Sequence, residues 1–230
     1  MHAQLRPIDA EALTAYPTTS RTACNKVRGV QLLLIRHALP LRSDRDADPD
    51  LAPEGLTQAG RLPAALQRFG VSRLISSPQK RALQTGRPVA DALGLPLEID
   101  ERLAEYDRDM AQYVPIEQIA RENPEELARL ISGHLPSTVD ENDFLTRIGD
   151  AVADLVSGTV ADATVAVFSH GGVINGLLHR ILPTERILSF QVDYAGITRL
   201  LSSASTGRLA VAGVNSIEHV WDLLPRNQRW

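Results

Sequence analysis

The chain has 230 residues, 43% of them hydrophobic, and a formal charge of -4, enough for one sizeable core and too acidic to be drawn as a whole toward nucleic acid or an anionic membrane. Its one cysteine, Cys24, excludes an internal disulfide and a cysteine-built metal cluster. No apolar run reaches the roughly 18 to 20 residues of a membrane span, and the start lacks the basic-then-apolar pattern of a signal peptide. The expectation is a soluble, cytoplasmic protein of one domain, with no membrane and no nucleic-acid partner.

In chain order, residues 1–29 carry no sustained apolar period and read as an N-terminal extension. Val30 to Ile35 is a short apolar run rich in branched side chains, the pattern of a strand buried on both faces of a parallel sheet. It ends on Arg36 and His37, which would lie at the carboxyl edge of the sheet, where ligands of open α/β folds bind. Prolines and charges mark 39–50 as loop. Leu56, Ala59, Leu62, Leu66 and Phe69 predict a helix over 53–68, with Pro53 suited to its first turn. A strand over 72–76 follows, and Pro78 opens a helix that runs to about Leu93 and stops at Gly94. That helix would bring its free N–H groups and Arg81 to the same edge, an arrangement suited to an anion.

Residues 95–99 read as another strand. Two short helical patterns, 116–121 and 125–131, make 106–136 a candidate cap over the pocket and the natural selector of substrate. A helix over 141–156 presents Phe144, Leu145, Ile148, Val152 and Leu155 on one face. Thr164 to Phe168 reads as a second buried strand, and it runs into Ser169-His170-Gly171-Gly172 and then a helix from Gly172 to Leu182. Residues 196–201 and 208–214 form a hairpin. Residues 30–220 are read as the domain and 221–230 as a C-terminal tail, in which Trp221 and Trp230 are candidates for covering a partner.

Four segments carry a resemblance. Leu34-Ile35-Arg36-His37-Ala38 resembles an L-I-R-H-G signature, and Ser76 to Thr85 matches S-S-P-x-x-R-A-x-Q-T. Leu103-Ala104-Glu105 matches an L-x-E acid, and Val167 to Ile174 is similar to a second histidine motif. In this order, over about 30 to 215, they resemble the histidine phosphatase (phosphoglycerate mutase-like) superfamily, in its phosphatase branch. The resemblance implies an α/β three-layer sandwich with a mostly parallel central sheet, helices on both faces and a small inserted cap. It also implies that His37 attacks phosphorus and becomes phosphohistidine, that Arg36, Arg81 and His170 hold the transferring group, and that Glu105 is the general acid.

The residue types suit that chemistry. A phosphoryl group passing through a loose transition state must be positioned and its charge stabilised, and the arginine fork does both at any physiological pH. Arginine neighbours would keep His37 neutral and nucleophilic, provided its other ring nitrogen is tied to an acceptor such as a backbone carbonyl. Gly171 leaves room for its own N–H to approach the phosphate. The acid could instead be Glu101 or Asp107. Pro40 and Ser43 stand where many relatives place a Ser or Thr and an Asn, so part of the phosphate shell is unassigned; Arg42 is a candidate replacement. His179 reads as structural, and His2, His134 and His219 receive no function. Paired histidines also suit zinc or iron, but arginines repel a cation and no carboxylate or thiolate cluster accompanies them, so no metal is expected. Nor is a cofactor, since nucleotide-binding glycine patterns are absent.

The leading expectation is a phosphatase acting on small phosphate monoesters. The runner-up is a phosphomutase, disfavoured because the segments after His37 and Glu105 lack the extended patterns of glycolytic mutases. A catalytically silent phosphate- or phosphoprotein-binding module is the third reading. The expected partner is a small phosphorylated substrate, with a homodimer left open.

Overall fold

The computed structural model describes residues 29–41, 46, 48–108, 123–225 and 227. Arg42, Ser43, the expected helix at 116–121 and all but the last residue of the N-terminal extension lie outside them. Six strands form one sheet: β1 (Gln31–Arg36), β2 (Val71–Ser76), β3 (Leu97–Ile99), β4 (Thr164–Ser169), β5 (Ile197–Ser202) and β6 (Leu209–Ser216). Their spatial order is β3-β2-β4-β1-β5-β6. The first four strands in that order are mutually parallel, and the β5–β6 hairpin adds antiparallel to β1.

The apolar runs fold as central strands because both sheet faces are covered. Leu32 to Ile35 and Val165 to Phe168 are each at most 1% exposed. Successive side chains enter opposite cores: Leu32, Leu34, Val165 and Val167 into one, Leu33, Ile35, Ala166 and Phe168 into the other. Two helices cover the second core, α1 (Pro53–Leu66) and α2 (Lys80–Leu93). Beyond them come α3 (Pro124–Ile131), α4 (Glu141–Ser157) and α5 (Gly171–Ile181), of which α4 and α5 cover the first. The result is the expected α/β sandwich.

Local signals set the ends of these elements. Gly94 closes α2 in the left-handed region at φ 63°, and the Asp140 side chain caps α4 by accepting from the N–H groups of Asn142 and Asp143. One expected face is rotated: Leu56 of α1 is 56% exposed, while Gly55, Gln58, Ala59, Leu62 and Leu66 are buried. The reason is a close approach at Gly55, where an added Cβ would run into the carbonyl of Leu39. Buried Gln58 then accepts from Leu39 N–H at 2.9 Å and donates to the carbonyl of Leu223 at 3.1 Å, satisfying its amide.

Candidate active site

The sheet register assembles the site. Arg36, the last residue of β1, pairs with Ser169, the last of β4, and His37 N–H donates to the Ser169 carbonyl at 2.8 Å. The next residues on the two strands, His37 and His170, therefore stand side by side with ring centroids 5.2 Å apart, 3% and 0% exposed. Arg81, in the first turn of α2 and 1% exposed, is the leading charged influence on both rings. Glu105, just past a 3-10 turn at Glu101–Leu103, is also buried and reaches the start of α5.

His37 Nδ1 lies 2.8 Å from the carbonyl of Ala38. A carbonyl can only accept, so Nδ1 carries the proton of the neutral ring and Nε2 keeps a lone pair. Burial, then the charges of Arg81 and Arg36, hold the imidazole well below the ordinary histidine range, outweighing the bond to Ala38. His170 is lowered too, by burial first, then by Arg81, His37, Arg36 and Arg147. Its Nε2 lies 2.7 Å from Ser77 Oγ. Its Nδ1, and Nε of Arg36, are buried polar atoms with no hydrogen-bond partner among the described residues. Arg36 is fixed by its other end: Nη1 donates to the Val192 carbonyl at 2.6 Å, and the guanidinium lies 4.0 Å over the Tyr194 ring. The same ring is 5.7 Å from that of His37.

Arg81 donates from Nη2 to both oxygens of Asp107 at 2.9 Å and from Nη1 to Asp48 at 3.4 Å. Asp48 also accepts from the N–H of Lys80 at 2.7 Å. The start of α2, expected to offer an N–H to an outside anion, thus gives its first to a carboxylate of the chain itself.

The three candidate acids separate by environment. Glu101 is exposed, and Asp107 is engaged by Arg81. Glu105 accepts from Gly172 N–H at 2.8 Å and from Tyr106 N–H at 3.1 Å. Its carboxyl is nevertheless pushed up to about 7, by burial first and then by the charge of Asp107. The glycine that packing demands is Gly172, since an added Cβ there would meet Glu105 Oε1 and lie 2.7 Å from the Tyr106 ring. At Gly171 the nearest atom would be Arg36 Nε at 3.6 Å, an ordinary contact.

Arg36, His37, Arg81, Glu105, His170 and Gly171 are therefore gathered at one sheet edge, and Arg42 lies outside the described residues. Sequence reasoning missed Ser77, Gln79, Asp48, Val192 and Tyr194. Ser77 and Gln79 belong to the Ser76 to Thr85 segment, which could have flagged them; Tyr194 and the Val192 carbonyl reach Arg36 only through the fold. Among the described residues, no group of three or more His, Cys, Asp or Glu side chains is arranged to hold a metal ion, and no helix is long and apolar enough to cross a membrane. Such a site can hold a tetrahedral anion, attack it with an unprotonated imidazole nitrogen and supply a proton from a carboxyl titrating near neutrality.

Over 161 residues the chain is 27% identical to a probable phosphoglycerate mutase of Yersinia pestis (strain Pestoides F), covering 66% of this chain and 75% of the relative. A mycobacterial glucosyl-3-phosphoglycerate phosphatase, solved with inorganic phosphate, superposes with a TM-score of 0.68 at 24% identity, over 81% of this chain and 97% of that one. A phosphoserine phosphatase of Entamoeba histolytica, solved with 3-phosphoglyceric acid, gives 0.65 at 22% identity, over 83% and 99%. These two likenesses show the shared fold. The family model of the histidine phosphatase superfamily (branch 1) matches residues 32–215, and the chain belongs to that family.

Proposed function

We propose that the protein is a phosphoric monoester hydrolase that acts on small phosphate monoesters through a phosphohistidine on His37, with Glu105 as the proton donor. The observation that carries this reading is the His37 ring itself. Its Nδ1–H is anchored on the Ala38 carbonyl, its Nε2 is left unprotonated, and burial with two arginines keeps it so. Nε2 attacks phosphorus as the ester P–O bond breaks, while Arg36, Arg81, His170 and the N–H of Gly171 hold the oxygens as charge spreads over them. The departing alkoxide is a poor leaving group, and Glu105 gives it a proton. A carboxyl that titrates at about 7 is suited to that task near neutral pH. In the second half Glu105 takes a proton from water, the water oxygen bonds phosphorus, the P–N bond breaks, and phosphate leaves with His37 restored.

The competing reading is a mutase, favoured by the name of the Yersinia relative. Against it stand the segments after His37 and Glu105, which lack the extended patterns of glycolytic mutases. Incubation with a phosphate monoester separates the two: a hydrolase releases inorganic phosphate, whereas a mutase chiefly isomerises its substrate. His37→Ala should abolish both turnover and the acid-labile phosphoenzyme, and substantial surviving activity refutes the assignment. Glu105→Gln should slow an alkyl ester far more than an aryl ester whose leaving group needs no proton; equal slowing refutes the acid.

A further inference from the structure

The mechanism requires Glu105 to start the cycle carrying a proton, yet its carboxyl accepts two backbone N–H bonds, and both favour the ionised form. Arg81, on α2, and the N-terminus of α5, whose N–H at Gly172 points at Oε2, favour it as well. Arg147 reaches in from α4 to the carbonyls of Arg102 and Ala104 at 2.7 and 2.8 Å. His170 and His37 stand at the adjoining strand ends and are held neutral near pH 7. Burial is the first influence that opposes ionisation, and among the described residues the negative group that adds to it is Asp107.

Asp107 is not left to find its own place. Arg81 Nη2 lies 2.9 Å from both its oxygens, and Gln79 Nε2 donates to Oδ1 at 2.9 Å. The same Gln79 accepts the N–H of Glu105 at 2.8 Å through Oε1. Gln79 thus measures the separation between the Glu105 backbone and the Asp107 side chain, and Arg81 fixes the far end. The side chain of Asp107 is only 12% exposed, so solvent screens its field weakly.

We propose that Asp107 is a positioning residue for the reaction: pinned by Arg81 and Gln79, its carboxylate acts through Glu105 and holds that acid in its proton-bearing form without touching the substrate. The inference rests on Glu105 being the proton donor. It separates Asp107 from the role of alternative acid, because its oxygens are engaged by Arg81 and Gln79, and it gives the Ser76 to Thr85 segment a purpose beyond supplying Arg81.

The test reads Glu105 without turnover. Sulfate is a tetrahedral dianion whose own charge is constant between about pH 5 and pH 9, so its affinity, measured by titration calorimetry, should fall as Glu105 ionises. A limb near pH 7 is expected in the wild-type protein. Glu105→Gln should abolish it, and a limb that persists there overturns the inference. Asp107→Asn should move the limb to lower pH by about one unit, while sulfate at about pH 5 binds as tightly or more tightly, since a competing carboxylate has gone. Turnover of an alkyl phosphate at pH 7 should then drop about fivefold, as the protonated fraction of Glu105 falls from about a half to about a tenth, with an aryl ester within about twofold. A merely structural lesion would instead weaken sulfate, slow both esters alike and leave the limb in place, and that result overturns the inference. Should Asp107→Asn not fold, Asp107→Ser reads the same limb by the same criterion. A wild-type protein that hydrolyses no ester overturns the proposed function, while the sulfate limb still decides the part played by Asp107.

Discussion

Replacing Glu105 by Gln should remove a loss of stability that the wild-type protein suffers as pH rises, while crippling it as a proton donor. The sign follows from linkage. The carboxyl is raised from an ordinary 4.5 to about 7 in the folded state, so the native protein holds a proton that the unfolded chain has already released over that interval. Folding stability is then fully present below about pH 4.5, declines as pH rises between the two values, and levels off once both states are ionised above about pH 7. At 1.36 kcal/mol per pH unit, the full penalty for ionising this buried group is about 3 kcal/mol, most of it incurred between about pH 5 and pH 8.5. A glutamine of the same shape can still accept one of the two N–H bonds and carries no charge to desolvate. Whatever constant cost its amide brings cancels when the two pH values are compared. Urea unfolding of both proteins at those two pH values measures the difference directly. The stability gap between Glu105→Gln and wild type should move in favour of the variant by about 2–3 kcal/mol from the lower to the higher pH. A gap that does not change with pH would mean that Glu105 titrates at its ordinary value, and it would remove the reason for calling it the acid.

Two further substitutions probe the packing behind the site. Gly172→Ala puts a methyl group against the Glu105 carboxylate and the Tyr106 ring, so urea unfolding should show a loss of about 1–3 kcal/mol, and alkyl-ester turnover should fall more than aryl-ester turnover because the displaced group is the proposed acid. Tyr194→Leu removes the ring under Arg36. With the Val192 carbonyl still holding Nη1, the loss should be about 0.5–2 kcal/mol of substrate binding, read as a severalfold rise in KM, whereas Tyr194→Phe keeps the ring and should behave as wild type. If the phenylalanine variant is as impaired as the leucine one, the ring is not what supports Arg36.

What the sequence disclosed and what it hid divide along a physical line. The strands that carry the histidines were legible because complete burial leaves a local signature: every residue of Leu32 to Ile35 must be apolar when both faces are covered. Helix ends were legible where one residue decides them, as at Gly94 and Pro53. The face of α1 was misjudged at Leu56 because a contact with the loop after His37 set the helix's rotation, and hydrophobic spacing alone carries no record of a backbone approaching Gly55. Arg36, His37, Arg81 and His170 could be picked out because each sits in a short segment that ends at the carboxyl edge of the sheet, whereas Glu105 was singled out from Glu101 and Asp107 only by the resemblance of its segment. The state of those groups could not be read in the same way.

That state is set by pairings across long stretches of chain. Ser77 meets His170 93 positions away, Val192 holds Arg36 across 156, and Arg81 is shared by Asp48 and Asp107 from loops on either side of it. Electrostatic coupling depends on distance and on exclusion of water, and neither leaves a trace in local composition. The consequence reaches the chemistry. An arginine read from sequence as a holder of the transferring group is, in the folded chain, already an ion-pair partner, and the carboxylate it binds adds to burial in raising Glu105. Arg81 and Glu105 therefore belong to one electrostatic unit: a change that moves the Arg81 guanidinium should also move Asp107, and through it the pH at which Glu105 gives up its proton.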